Sequence, residues 1–453
     1  MLLTKDFITN QVYKSNKLFK YFIKFILKIF KSKFTRNIAT LVTGTAMAQA
    51  IPLALSPILT RLYTPEDFGI LAIYISISTV ATVLVSLKYD IAIIIPEEDE
   101  DSANITVLSI IIATVVSLII FLIVFFYNVE LATFLSDKEK EADILANWLY
   151  FVPISVFLVG LFNAISFWFN RKSMYRKMAA SKVVNTSILT GIQVSSGFFK
   201  FTPVGLLIGF ITGRFFSVLF LLYKFQNNKN TVFQKVTKAR MLLLLKRYKR
   251  FPCFTLPAEF INVISNQLPV FLIGKYFGGV ILGNYALMER VLNAPISLLG
   301  RSVLDVFKQR ASEDYVKQGN CEYIFVKTFK TLVLLSIVPS IVLFFLSPFL
   351  FGILFGEEWI IAGEFAKIFS VLFFFKFTAS PLSYMFNIAE KQHYDMFWQI
   401  GLLIFTIISF VIGVAQNDVK QALIYFVISY SLMYILNIYL SYIFSKGGKT
   451  KNI

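Results

Sequence analysis

The chain is 453 residues long, 57% hydrophobic, and carries a formal net charge of +18. Its mean hydropathy of +0.70 lies outside the range of soluble domains, so its apolar residues cannot be gathered into one aqueous-style core. Two cysteines and one histidine, His393, exclude a disulfide framework, a multi-histidine metal centre and Ser-His-Asp or Cys-His catalysis; with no glycine-rich phosphate loop either, no ATP hydrolysis and no cofactor are expected.

Residues 1–36 form a basic preface. Lys14, Lys17, Lys20, Lys24, Lys28 and Lys31 recur at three- and four-residue spacing, with Phe19, Phe22, Ile23, Ile26, Leu27 and Phe30 on the remaining faces. That pattern predicts a helix lying in a membrane interface and held by anionic lipid. A signal peptide is the rival reading, but lysines interrupt the apolar part and no small-x-small cleavage site follows.

From residue 37 the chain is a series of apolar stretches, each close to the roughly 20 residues needed to cross ~30 Å of hydrocarbon. They fall near 37–60, 68–95, 105–127, 146–169, 178–199, 203–223, 251–274, 279–300, 329–351, 360–388, 397–415 and 421–445. The runs are continuous rather than alternating, which predicts helices. In lipid, helices also satisfy their own backbone groups. Most of the 44 Lys and Arg lie before the first span or in every second gap. This positive-inside bias puts both termini in the cytoplasm. A net charge distributed in this way gives no reason to expect a nucleic-acid partner.

The longest gap, 224–250, holds nine Lys and Arg and no acidic residue. It separates six spans from six. The expected architecture is an all-α polytopic membrane protein with about twelve transmembrane helices. Two six-helix lobes, 37–223 and 251–445, are joined by the connector 224–250 and followed by a cytoplasmic tail, 446–453. A weak internal repeat supports the division. Arg61-Leu62-Tyr63, Phe68-Gly69 and Ala72 are matched, 214 residues later, by Lys275-Tyr276-Phe277, Leu282-Gly283 and Ala286. Both copies start in an outer gap, so the repeats should be parallel and related by an axis along the membrane normal.

The longest outer gap, about 128–145, carries Asp137, Lys138, Glu139, Lys140, Glu141 and Asp143. Such mixed charge reads as a solvated loop or exposed helix. No outer loop is large enough for a catalytic domain, so an enzyme is not expected.

The polar residues inside spans are the candidates for function. Thr45, Gln49 and Ser56 share a face of the first span; Thr79, Thr82, Ser86 and Asp90 do so in the second. Thr255, Glu259, Asn262 and Asn266 form one helical stripe in the seventh, which Pro252, Pro257 and Pro269 make easy to bend. The fifth is the most polar, with Ser181, Lys182, Asn185, Thr186, Thr190, Gln193, Ser195 and Ser196. Gln49, Thr82, Asn185, Gln193, Thr255, Asn262 and Asn266 are therefore candidates to line a wet cavity. Helix–helix packing is the alternative for the small hydroxyl residues. An ionised side chain near mid-bilayer costs about 3 kcal/mol on insertion scales and so faces a cavity or a partner. Arg214, Arg290 and Lys376 are the cationic candidates, and Glu259 is the clear acidic one. An anionic ligand with phosphate oxygens suits the cations. Glu259 is a candidate for ion coupling or for neutralising Arg290. Asp90 fits either coupling or an interfacial ion-pair network.

Several of these stretches are similar to Wzx-type polysaccharide biosynthesis proteins. The first is Arg61-Leu62-Tyr63-Thr64-Pro65-Glu66-Asp67-Phe68-Gly69. The second is Lys88-Tyr89-Asp90-Ile91-Ala92-Ile93-Ile94-Ile95-Pro96 with the acidic run Glu97 to Asp101. The others are Ser265-Asn266-Gln267-Leu268-Pro269 continuing to Gly274-Lys275-Tyr276-Phe277-Gly278, and Leu282-Gly283-Asn284-Tyr285-Ala286-Leu287 with Arg290, Pro295 and Val306-Phe307. The resemblance runs from about residue 37 to the C-terminus. It implies the V-shaped, MATE-like fold of the multidrug/oligosaccharidyl-lipid/polysaccharide exporter superfamily. It also implies a bacterial inner-membrane flippase for undecaprenyl-pyrophosphate-linked oligosaccharide, working by alternating access. Membrane lipid and other polysaccharide assembly proteins are the further partners this implies. A drug/cation antiporter of the same fold would show an acid-dominated cavity. A membrane enzyme of polysaccharide assembly would show a catalytic outer loop.

Overall fold

The computed structural model describes residues 33–136, 138–226 and 231–447. The interfacial helix expected over 1–36 falls almost wholly outside them, as does most of the tail 446–453. The described residues are all-α. In chain order the helices are α1 (Lys33–Ala54), α2 (Ser56–Leu62), α3 (Pro65–Leu84), α4 (Asp99–Leu135), α5 (Glu139–Leu149), α6 (Val152–Arg171), α7 (Tyr175–Phe198) and α8 (Val204–Gln226). The second half contains α9 (Lys238–Arg247), α10 (Leu256–Phe277), α11 (Gly279–Gln318), α12 (Glu322–Phe355), α13 (Ile360–Leu382), α14 (Met385–Ile388), α15 (Gln392–Ala415) and α16 (Val419–Ser445).

Every expected span overlaps one of these helices, and eight of them are long and apolar enough to cross a membrane. The other four, α1, α7, α11 and α13, carry much of the polar and charged side chains treated below. Large apolar side chains point outward along α4 and α12, among them Leu118, Phe126, Leu334, Val338, Phe345 and Phe349. A surface this apolar is matched to lipid rather than water.

Local chemistry sets the boundaries. The first span is interrupted at Leu55, just ahead of Pro57, which has no N–H to continue the α1 ladder; the Ser56 hydroxyl donates to the Pro52 carbonyl at 2.7 Å. Thr64 and Asp67 form a capping box that starts α3, with Pro65 in its first turn. The second span is shorter than the 68–95 expected. α3 ends at Leu84, and Leu87 and Lys88 take left-handed φ values of 47° and 65°. The chain then turns into a 3-10 segment, Tyr89–Ile94. Asp90 therefore sits on a turn rather than on a spanning helix. Thr255 likewise lies in a π-helical turn, Phe251–Thr255, leading into α10.

One face of the bundle is basic. There the acidic run at the start of α4 meets cations from two other segments. Asp99 pairs with Arg171 at 2.9 Å and with Lys172, Glu100 with Lys235 at 2.6 Å, and Asp101 with Arg240 at 2.6 Å. Carboxylates in a first helical turn also suit the helix dipole. The connector is thus not a loose solvated loop. Its helix α9 is held on the first half of the chain, and the Tyr89 hydroxyl donates to the Leu245 carbonyl at 3.0 Å.

On the opposite face α3 and α11 touch through backbone. A Cβ on Gly69 would stand 2.1 Å from the Gly279 carbonyl oxygen, and one on Gly283 would stand 1.7 Å from that of Pro65. The pairing is reciprocal. Gly283 is the 214-residue counterpart of Gly69, and Gly279 is the counterpart of Pro65. A contact in which i meets j and j meets i is the signature of a twofold relation. Gly283→Ala should therefore force the two helices apart, at an overpacking cost of about 1–3 kcal/mol. The expected results are a lower melting temperature in detergent and easier labelling of a cysteine at Phe68. Wild-type values for both would remove the contact from this role.

Candidate functional site

The two halves of the chain meet along a seam that runs from the glycine face to the basic face. At the glycine face, the Trp359 indole N–H donates to the Thr60 carbonyl at 3.1 Å, and its ring meets Phe68 edge-on at 5.0 Å. Glu141 lies beside it, 2% exposed. Its carboxylate accepts from the Gly279 N–H at 3.2 and 3.3 Å, and from the Ser136 hydroxyl at 3.1 Å. Lys138 pairs with it at 3.1 Å. This puts a carboxylate on the positive end of the α11 dipole. The outer gap, read as a solvated loop or an exposed helix, contains the helix α5, but its Glu141 is buried at the seam rather than exposed, because the α11 N-terminus offers its charge a partner.

Midway along the seam, Arg290 of α11 donates to the Pro52 carbonyl at 3.0 Å, which also accepts from the Ser56 hydroxyl where α1 gives way to α2. Ser297 Oγ lies 2.8 Å from Gln49 Oε1 across the same seam. Among the described residues no carboxylate pairs with Arg290. At the basic face, Lys88 donates to Glu259 at 2.6 Å, with side chains 12% and 42% exposed. The seam is thus latched at both ends and carries a cation between them.

A family model for polysaccharide biosynthesis proteins matches residues 58–364. The chain belongs to that family. Over 165 residues, 35% of this chain, it is 21% identical to the teichuronic acid biosynthesis protein TuaB of Bacillus subtilis (strain 168), and the match spans 33% of that protein's length. An inward-facing multidrug resistance MATE family transporter of the MOP superfamily superposes with a TM-score of 0.71 at 12% identity, covering 87% of this chain and 93% of the other. The lipid II flippase MurJ in an inward closed conformation gives 0.71 at 14% identity, covering 88% and 87%. An outward-facing MATE transporter gives 0.59 at 12% identity, covering 91% and 96%. These likenesses establish a shared fold, that of MATE transporters and MurJ.

In this polysaccharide biosynthesis protein the three cationic candidates do not converge. Arg290 is at the seam. Arg214 lies within the first half, its guanidinium 4.1 Å over the Phe210 ring and its buried Nη1 without a hydrogen-bond partner. Lys376 lies within the second half and donates to Asn293 at 3.2 Å. It shares a cavity of about 50 Å³ with Glu289 and Tyr285. Successive helical residues point about 100° apart, so Arg290 faces the seam while Glu289 faces the second half. Glu259 pairs with Lys88 rather than with Arg290, because it begins α10 near the basic face.

The polar candidates divide similarly. Gln49 reaches the seam. Asn262 donates to Gln399 at 2.8 Å, and Gln399 donates to Asp395 at 2.9 Å. With Asn266 these residues line a recess of about 300 Å³ inside the second half. Gln193 is 3% exposed and donates to the Leu206 carbonyl at 3.0 Å, so it joins α7 to α8 instead of lining a cavity. Asn185 packs at the same joint, against Gly213, its buried Oδ1 unpartnered. Thr82 is turned back onto the Thr79 carbonyl at 2.8 Å. Asp90, 4% exposed, accepts from the Ile91 N–H at 3.1 Å.

Sequence reasoning missed Glu141, Lys88 as the partner of Glu259, and Asp395 with Gln399. The last pair had a signal, since a four-residue spacing puts both on one face of α15. For the Lys88–Glu259 latch, half exposed, the expected coupling is about 1 kcal/mol. Lys88→Glu with Glu259→Lys should recover the melting temperature that either single change loses. A double variant as unstable as the sum of the singles would show that the pair does not interact.

Proposed function

We propose that this protein is a flippase that carries undecaprenyl-pyrophosphate-linked oligosaccharide from the inner to the outer leaflet of the bacterial cytoplasmic membrane. The observation that carries the reading is Arg290. It sits midway along the seam between two latched ends, with only a carbonyl as hydrogen-bond partner among the described residues. A guanidinium held this way in lipid is costly unless an anion takes it. A diphosphate offers oxygens that fit its planar fork.

In this reading the two lobes are 37–223 and 251–445, joined by the connector 224–250. The basic face is cytoplasmic, as the positive-inside bias requires, and the glycine face is periplasmic. Opening the Lys88–Glu259 latch admits the head group from the cytoplasmic side. Opening the Gly69–Gly279 contact, with Glu141 leaving the α11 N-terminus, releases it on the other. The lipid tail stays in the bilayer throughout. The anionic, sugar-bearing head never meets hydrocarbon, because fixed polar groups replace its water. Glu259 couples the cycle by changing partner between the two states. The family match to polysaccharide biosynthesis proteins and the fold shared with MurJ both support this assignment.

Arg290→Ala should abolish surface polysaccharide in a flippase-null strain while the protein remains in the membrane. Arg290→Lys should retain part of the activity, since an ammonium keeps the charge and loses the bidentate geometry. Wild-type polysaccharide from both variants would take Arg290 out of the mechanism.

A further inference from the structure

We propose that the crevice between the basic-face ends of α11 and α12 is a binding site for one anionic glycerophospholipid, separate from the seam. The two helices do not close on each other here. They leave a cavity of about 300 Å³. Val303, Val306 and Arg310 lie on one stripe of α11; Lys327, Thr328 and Thr331 lie on the facing stripe of α12. The two helices run in opposite directions, so the order along both stripes is the same. Val303, Val306, Thr328 and Thr331 line the deep part; Arg310 and Lys327 stand nearer the basic face, with Ile324 one turn beyond Lys327.

The depth fits a lipid. Arg310 lies about 46 Å along α11 from Gly279 at the glycine face, and Lys327 about 42 Å along α12 from Phe355, at ~1.5 Å per residue. A bilayer with its head groups is about 40–45 Å thick. Both cations therefore sit at head-group level, with the apolar pocket below them in the acyl region. The Lys327 side chain leans toward the α12 N-terminus, as helical side chains do, which carries its ammonium outward to the phosphates.

The charge fits too. Among the described residues, neither Arg310 nor Lys327 has an ion-pair partner, although Asp314 follows Arg310 at i+4. Both are exposed. Lys327 only overlies the Tyr323 ring at 6.0 Å. Two unpaired cations over an apolar slot match a phosphate head over an acyl chain. Phe307 seals the inner side of the slot by packing on Phe325, their centroids 6.3 Å apart. None of the residues lining it is among those named at the seam, so it does not depend on what the protein carries.

The test uses the full chain in nanodiscs of phosphatidylcholine doped with spin-labelled phosphatidylglycerol. Wild type should immobilise one phosphatidylglycerol in preference to spin-labelled phosphatidylcholine. Arg310→Gln and Lys327→Gln should each weaken this about five-fold, since a cation near the surface contributes about that factor. Val306→Trp, which fills the slot and leaves both cations, should also lose it. Lys330→Gln, on a neighbouring groove, should change nothing and controls for general surface charge. Size-exclusion profiles identify any variant that fails to fold, in which case the remaining variants decide. The proposal is overturned if the double Gln variant holds phosphatidylglycerol as wild type does. It is equally overturned if Lys330→Gln weakens binding as much. Stoichiometric displacement by undecaprenyl phosphate would also overturn it, by giving the site to the polyprenyl carrier instead.

Discussion

The close approach of α3 to α11 at Gly69 and Gly283 governs the rest of the structure. At Gly69 and Gly283 the two helices meet backbone to backbone and leave no space for a side chain, and large buried side chains from both halves pack around that contact. The polar elements around it add direction. Glu141 on the α11 N-terminus and Trp359 on the Thr60 carbonyl each bring a group from one half onto the backbone of the other. Each depends on the two helix ends being in register.

The charges within the bundle follow from where partners are available. Glu289 has Lys376 across a small cavity, an arrangement that keeps both charges away from lipid. Arg214 has an aromatic face in place of a carboxylate, a weaker partner. Arg290 has the Pro52 carbonyl, which it shares with the Ser56 hydroxyl, and otherwise faces the seam. Of the three, Arg290 alone bridges the two halves, so a ligand that binds it is coupled to how the halves sit. Cations buried within one half would feel such a ligand only through intervening helices.

Much of the fold was legible in the sequence because a membrane span is the longest-range pattern that apolar residues make. The 214-residue offset between Gly69 and Gly283 even marked the pair of helices that touch. What the sequence hid were relationships between segments. The acidic run Asp99 to Asp101 and the cations Lys235 and Arg240 lie far apart in sequence, and nothing in either segment says that the connector joins them. Glu141 looked like one of several charges in an outer gap, because its partner is a helix N-terminus, which has no residue type of its own. Lys88 was visible beside Asp90, but its left-handed backbone, which turns it toward Glu259, was not. Gln193 showed the converse: a polar residue in a polar span, which the sequence could not distinguish from a cavity residue, tied to a neighbouring backbone.

The central claim is that one seam opens alternately at its two ends. The most direct measurement uses paired spin labels in proteoliposomes, with Cys253 and Cys321 replaced by alanine. Labels at Glu66 and Val280 report on the glycine face, and labels at Ile94 and Phe254 report on the basic face. The account predicts two distance populations for each pair, with the long distance at one face accompanied by the short distance at the other. Adding undecaprenyl-pyrophosphate-linked glycan should shift the balance between them. A single unchanging distance at either face, or long distances appearing at both faces together, would contradict it.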